Sequence, residues 1–404
     1  MSVFDEKLWI EHLENDVMQF WKQPGSLGVP IGNFPSFLDQ TARPLTELNH
    51  FMRMHGRRLY GYLTAYKILG KEEYLEYAKA GFEWLERKGG NPSGGYWSQL
   101  TPDGTPIETA ITIQDLCYTV FPYVTYYKVT GDESKLQPVV DIIRFILEGP
   151  YCRDGVLIDS LSHDYQEICY FEGETLNLVS LMDFMNLLLI PMTEFDDVIR
   201  KYYPDFDATL ERLLDLLVND YYYAGLFWND RSNRTDYSAK HVDLGHSSKA
   251  FGILFRANCY FAQKGKKSEY KELEKMYPPM LKAATDPDVG WRTDFDHSAT
   301  SFRPDSVQWW RYIMINQTAA LYAAEYPELL PLLEHGIKKW FELPFVDRER
   351  SVRGIRDGLK PDGSLWKNDD STAFKANQWK SAYHEVEHVK DLLEFLRKKQ
   401  SLKI

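Results

Sequence analysis

The sequence predicts an all-α fold, a toroid of antiparallel helical hairpins with short β-hairpin loops on one rim. Three observations lead there. Helical periodicity dominates the 404 residues, one turn phrase recurs along the chain, and amphipathic helices occupy both ends.

The terminal helices cover about residues 6–21 and 384–398. The turn phrase first appears as Tyr66-Lys67-Ile68-Leu69-Gly70-Lys71-Glu72, which closes one helix and opens the next. It returns at Tyr127-Lys128-Val129-Thr130-Gly131-Asp132, at Tyr260-Phe261-Ala262-Gln263-Lys264-Gly265, and at Tyr322 to Pro327, where proline marks the turn. Glycine suits a left-handed C-terminal cap, and the acidic or polar residue after it suits the next N-terminus. Such repeats point to stacked hairpins. An open solenoid needs polar capping repeats, whereas amphipathic helices at both ends favour closure into a ring.

Glycine- and aromatic-rich segments separate the hairpins. Gly94-Gly95-Tyr96-Trp97 with Pro102-Asp103-Gly104, Gly225-Leu226-Phe227-Trp228 and Asp288-Val289-Gly290-Trp291 read as short hairpins or loops at one end of the helices. Loops on one rim are a natural place for a site. No linker or low-complexity run divides the chain, so a single domain over residues 1–404 is expected.

Composition narrows the partners. A net charge of -12 argues against nucleic acid or an anionic membrane, whose phosphates would be repelled. No uninterrupted apolar run approaches the ~18 residues of a membrane span, and the N-terminus does not have the pattern of a secretory signal. Cys117, Cys152, Cys169 and Cys259 show neither pairing nor metal-ligand spacing, and three of them read as small buried hydrophobes; a reducing cytoplasm is the expected location. Eleven Trp and 26 Tyr fit aromatic helix packing or a cleft in which sugar C–H faces stack on rings.

Two histidines carry the chemistry. His246, in Asp243-Leu244-Gly245-His246, and His384, in Trp379-Lys380-Ser381-Ala382-Tyr383-His384, each stand where a helix begins. Imidazole titrates nearest neutral pH, so two of them on one substrate can give and take protons.

With these motifs in order, the chain resembles the N-acylglucosamine 2-epimerase superfamily, which includes cellobiose 2-epimerases and mannose and sulfoquinovose isomerases. The likeness runs from about Arg57 to the C-terminus, through Arg57-Arg58-Leu59-Tyr60-Gly61-Tyr62, Gly94-Gly95-Tyr96-Trp97, Gly245-His246, Gln308-Trp309-Trp310 and Trp379-Lys380-Ser381-Ala382-Tyr383-His384. It implies an (α/α)6 barrel and a sugar epimerase or aldose–ketose isomerase, with His246 and His384 as the acid/base pair and Arg57 near the substrate oxygens. It further implies that Trp310 and Trp379 line the sugar site, and Trp97, Asp115, Asn177, Lys249 and Trp309 are further candidates for substrate contact. Proton removal alpha to the aldose carbonyl would give an enediolate that a guanidinium stabilises. That chemistry calls for no metal and no cofactor, and the expected assembly is a monomer or homodimer.

The departures are specific. The family's Gly-His-x-x-Glu reads Gly245-His246-Ser247-Ser248-Lys249, so an ammonium replaces the carboxylate one helical turn beyond the histidine. Tyr312-Ile313-Met314 follows Trp309-Trp310-Arg311 where the family has Gln-Ala-Glu, Gln114 stands where a tyrosine is usual, and no histidine lies near Asn177.

Other constellations compete. The Asp115 to Pro122 stretch resembles that of unsaturated rhamnogalacturonyl hydrolases, where an aspartate protonates the substrate double bond; Asp115 otherwise reads as a helix cap or ion-pair partner. A non-catalytic sugar-binding barrel is the third reading. Glu172 with Glu174, and Asn368-Asp369-Asp370, offer carboxylate pairs that read more simply as solvated loops. His50, Arg53 and His55 read as mixed polarity on a helix. Glu385, Glu387 and His388 match no standard metal cluster, and His388 reads as orienting His384 or facing solvent.

Overall fold

The computed structural model describes residues 2–169, 176–228, 241–296, 301–302, 307–365 and 374–401. Helices dominate, and contacts divide the chain into two compact units. One comprises Pro24–Leu217 with Ala376–Tyr383 and carries Arg57. The other comprises Met1–Gln23, Val218–Lys375 and His384–Ile404 and carries His246 and His384.

In the Arg57 unit, helix Met52–Leu69 pairs with helix Glu72–Lys88. The turn between them is the first copy of the recurrent phrase. Gly70 adopts φ 67° and its N–H bonds Tyr66 O at 2.8 Å, while Glu72 and Glu73 occupy the next first turn. Gly131 ends helix Pro122–Thr130 in the same way, with φ 75°. A Cβ at either glycine would meet nothing within 4 Å, so backbone conformation rather than space selects the residue.

Every residue from Met52 to Ala65 is buried, so this helix has no solvent face on which to leave its polar groups. Each must find a partner inside. Arg58 donates to Ser26 O at 2.7 Å and to Ser381 Oγ at 3.3 Å. His55 Nε2 meets Gly81 O at 2.9 Å, between the rings of Phe34 and Trp84. Gly56 admits the close approach of helix Ile113–Val120, because a Cβ there would lie 1.8 Å from Tyr118 O.

The rest of this unit repeats the pattern. Helix Gln137–Leu147 buries Val139, Val140, Ile142, Ile143, Ile146 and Leu147 along one stripe. The stretch Leu178–Tyr202 is long and apolar enough to cross a membrane by length and composition, yet 67% of that window is buried within the fold, as in a core helix. His50–Phe51, Gln99–Leu100 and Pro106–Ile107 form an antiparallel meander. Its tight turn is at Pro102-Asp103-Gly104, with Gly104 N–H bonded to Thr101 O at 2.8 Å.

In the His246 unit, helix Leu244–Gln263 packs along helix Trp309–Ala323, and the two are tied by Thr318 Oγ1 donating to Ser248 O at 3.0 Å. The terminal helices meet, as closure of a ring of hairpins requires. Trp21 Nε1 donates to Glu385 Oε2 at 2.7 Å, Arg397 pairs with Glu6 at 3.1 Å, and Trp9 packs edge-on against His388. His388 therefore does not face solvent. It is fully buried against Trp9 and Trp340, with Nε2 3.2 Å from Asn316 Nδ2, and burial holds its pKa well below the ordinary value. The short hairpins expected at 225–228 and 288–291 pair as Tyr222–Tyr223 with Leu226–Phe227 and Thr285–Asp286 with Gly290–Trp291. All four cysteines are free. Only Cys117 is fully buried; the other three are half-exposed, fewer buried thiols than the apolar flanks suggested.

Two consequences are measurable. Gly131→Ala should lower stability by about 1 kcal/mol in urea titration through left-handed strain alone. Gly90→Ala, at an open site with ordinary φ, should change it by less than about half of that. Burial also lowers the pKa of His50 to about 4 and of His55 to about 3, from 6.5. The unfolded chain therefore binds these protons first. Stability should be complete above pH 6.5 and decline below it, His55 alone costing about 2 kcal/mol by pH 5. His55→Phe should flatten that slope in urea midpoints measured between pH 7 and pH 5.

Candidate functional site

Each unit gathers one cluster of polar and aromatic side chains around the start of a helix. In the His246 unit, Asp243 caps helix Leu244–Gln263, its Oδ1 accepting from Gly245 N–H at 2.8 Å and His246 N–H at 3.2 Å. Its Oδ2 lies 3.1 Å from His246 Nδ1 and 3.1 Å from Arg311 Nε. Burial raises the Asp243 pKa, but the His246 and Arg311 charges outweigh it and hold the carboxyl below its ordinary value.

Trp310 joins the two histidines. Its ring centroid is 4.6 Å from that of His246 and 6.5 Å from that of His384, so the two imidazoles flank one indole. Its Nε1 donates to Gln308 Oε1 at 3.0 Å. Trp309 lies edge-on to His384 at 5.4 Å and is anchored by its Nε1 on Asp357 Oδ1 at 2.8 Å. The His246 side chain keeps 17% of its surface exposed and His384 keeps 7%. His384 is thus a buried residue whose Nδ1 is out of contact with solvent. Lys249, one turn along from His246, is buried on the same helix.

In the Arg57 unit, the guanidinium of Arg57 lies 3.7 Å above the Tyr118 ring and donates to Trp379 O at 2.6 Å. Arg57 is 4% exposed, pairs with no carboxylate, and its buried Nε has no partner among the described residues. Such a donor costs free energy unless something else accepts from it. The Tyr118 hydroxyl donates to Asp183 Oδ1 at 3.2 Å, and Gln114 Nε2 donates to Asp183 Oδ2 at 2.6 Å, so the residue in the usual tyrosine position serves this carboxylate.

Arg53, one helical turn before Arg57, stacks its guanidinium 4.3 Å from the Trp379 ring and donates to Asp115 Oδ1 at 3.0 Å. Trp379 is 54% exposed, a large indole face held by a cation beneath it. Asp115 is occupied on every side. Oδ2 accepts from Ser98 Oγ at 3.1 Å, Thr112 Oγ1 at 2.8 Å and Thr112 N–H at 3.1 Å, completing a capping box. Four donors thus engage its two oxygens. The reading of Asp115 as cap and ion-pair partner is the one the geometry supports.

Asn177 is the N-cap of helix Leu178–Asp183, with Oδ1 accepting from Ser180 N–H at 2.9 Å and Nδ2 donating to Asp159 Oδ2 at 2.9 Å. Burial raises the Asp159 pKa to about 6. Trp97, half-buried on its hairpin, stacks with His163 at 6.3 Å rather than with Arg57 or Trp379. His50 and His55 are core residues. Glu172, Glu174 and Asn368-Asp369-Asp370 lie outside the described residues. Among the described residues, no three His, Cys, Asp or Glu side chains gather as a metal-ligand set.

Sequence reasoning missed Asp243, Arg311, Arg53, Tyr118 and Asp183. For Asp243 a signal existed: an aspartate immediately before a helix and three residues ahead of a histidine is both a capping position and a helix-face neighbour.

Comparison with known proteins gives these clusters a context. The profile of the N-acylglucosamine 2-epimerase (GlcNAc 2-epimerase) family matches residues 32–325. Cellobiose 2-epimerase of Bacteroides fragilis is 25% identical over 362 residues, covering 82% of this chain and 84% of the relative. Among solved structures, cellobiose 2-epimerase from Spirochaeta thermophila superposes with a TM-score of 0.79 at 16% identity, covering 99% of this chain and 97% of that one. A D-mannose isomerase superposes with 0.79 at 15% identity, covering 98% and 99%. The fold is the (α/α)6 barrel of these structures.

If Asp115 is structural, Asp115→Asn should destabilise the protein by about 3 kcal/mol in chemical denaturation, because it leaves Arg53 buried without its counter-charge. Arg53→Met combined with Asp115→Asn should recover most of that loss.

Proposed function

Since this chain belongs to the N-acylglucosamine 2-epimerase family, we propose that it epimerises a sugar at C2 or interconverts an aldose and a ketose, using His246 and His384 as the acid/base pair. One observation carries the reading: both imidazoles flank the single indole of Trp310, and one of them has a buried carboxylate at its Nδ1.

An open-chain aldose has a weakly acidic proton on C2. One imidazole removes it, and the C–H electron pair passes into an enediolate. Return of a proton to C2 from the opposite face, by the other imidazole, inverts that carbon. Delivery to C1 gives the ketose instead. Opening the sugar ring needs an acid and a base as well, which the same pair supplies. The indole of Trp310 offers an apolar wall for the sugar C–H face.

The family likeness assigns Arg57 to the substrate oxygens, and a buried guanidinium with an unmet Nε and no carboxylate supports that role. Trp379, half-exposed above Arg53, supports a second stacking surface for a sugar. Hydrolysis of an unsaturated uronyl glycoside finds little support, because its candidate acid is engaged by Arg53, Ser98 and Thr112.

The test is proton NMR of free hexoses and cellobiose with the protein in D2O. Loss of the C2 proton signal, with appearance of the C2 epimer or the ketose, is the expected outcome. His246→Ala and His384→Ala should each slow that exchange by roughly 10²-fold or more. Line broadening without exchange would mean a sugar-binding protein instead, and exchange surviving in both variants would remove the histidines from the mechanism.

A further inference from the structure

This inference rests on the acid/base reading above and concerns how one imidazole is held. The residue three positions beyond His246 on its helix, Lys249, is a cation and cannot accept from a ring N–H. The carboxylate at the ring comes from the other direction along the chain. Asp243 is buried, uses Oδ1 to cap the helix, and places Oδ2 3.1 Å from His246 Nδ1. The contact is electrostatic: at this distance Nδ1 and Oδ2 are off the hydrogen-bond angle, and Nδ1 has no hydrogen-bond partner among the described residues.

The same Oδ2 is 3.1 Å from Arg311 Nε, and the Arg311 guanidinium lies 5.3 Å from the Trp310 ring centroid. Gly245 makes this arrangement possible. A Cβ at position 245 would lie 2.8 Å from Arg311 Cα and 2.9 Å from its Cβ and Cγ, so any side chain there would push the arginine stem away. Gly245, Asp243 and Arg311 thus form one packed device at the foot of the helix.

We propose that Asp243, braced by Arg311, is the positioning residue that fixes His246 as the Nδ1–H tautomer and leaves Nε2 as the atom that moves the substrate proton. The proton balance is simple. Nε2 takes the C2 proton, the C–H electron pair stays on the sugar as enediolate, and the ring becomes imidazolium facing a carboxylate that itself remains ionised. The charged and titratable groups around the ring are Asp243 and Lys249 on its own segment, Arg311 on the neighbouring helix, and His384 across Trp310.

The experiment is 15N NMR of the histidine rings in the full-length protein, read beside steady-state kinetics on the sugar that exchanges in D2O. Wild type should give the Nδ1–H pattern for His246. Asp243→Asn keeps an oxygen for the helix cap but removes the charge; it should yield a tautomer mixture and a kcat lower by roughly 10- to 100-fold, with KM within about two-fold. Arg311→Met leaves both carboxylate and cap in place. It should retain the tautomer.

An Nε2–H ring in the wild type overturns the proposal. So does an Asp243→Asn protein that keeps both the tautomer and kcat, or an Arg311→Met protein that loses the tautomer. Absence of C2 exchange with every sugar would instead fault the acid/base reading, which the tautomer measurement does not use.

Discussion

The contact of Gly245 with the stem of Arg311 is the constraint on which the histidine cluster depends. Two long helices, Leu244–Gln263 and Trp309–Ala323, approach so closely there that no Cβ fits. That approach sets Arg311 against Asp243 and Trp310 against His246. One missing methyl group therefore bears on the distance between the His246 imidazole, the Asp243 carboxylate and the Trp310 ring. Packing and chemistry meet in the same few ångströms, because the helix N-terminus that needs a cap is also the place where a histidine needs a partner.

The Arg57 unit solves a different problem. Its central helix, Met52–Leu69, is buried all round and still carries Arg53, His55, Arg57 and Arg58. Buried charges are tolerated when each has partners, and two of these four side chains are well supplied, Arg53 by Asp115 and Trp379 and Arg58 by Ser26 O and Ser381, while His55 pairs Nε2 with Gly81 O and leaves Nδ1 without a hydrogen-bond partner among the described residues. Arg57 differs. It stacks on Tyr118 and bonds one carbonyl, with Nε left over. Its guanidinium is a buried cation with one donor unmet among the described residues.

Much of this was legible in the sequence. The glycine turns at Gly70 and Gly131, the terminal helices, and the hairpins at Pro102-Asp103-Gly104 and Gly225 follow local rules that a single sequence displays. The Trp-Lys-Ser-Ala-Tyr-His segment and Gly245-His246 pointed to the two imidazoles. What stayed hidden were pairings across sequence distance. Nothing near Arg53 announces that its carboxylate is Asp115, 62 residues on, or that its guanidinium supports Trp379. Lys249 drew attention because it replaces an acid, whereas the acid that reaches His246 stood three residues ahead of it as an ordinary cap. The solvent-facing alternative for His388 failed for a related reason: its burial depends on Trp9 and Trp340, which no local pattern ties to it.

The left-handed turns after the helices have a further consequence. At Gly70, Gly131 and Gly265 a Cβ would meet nothing within 4 Å, so the space beside these glycines is open. Extra residues inserted there would extend outward without disturbing the helices they join, and their entropic cost would grow only slowly with length. The barrel is therefore modular at its corners: its outline can be redrawn by insertion or deletion while the helices that hold the histidines and arginines keep their register.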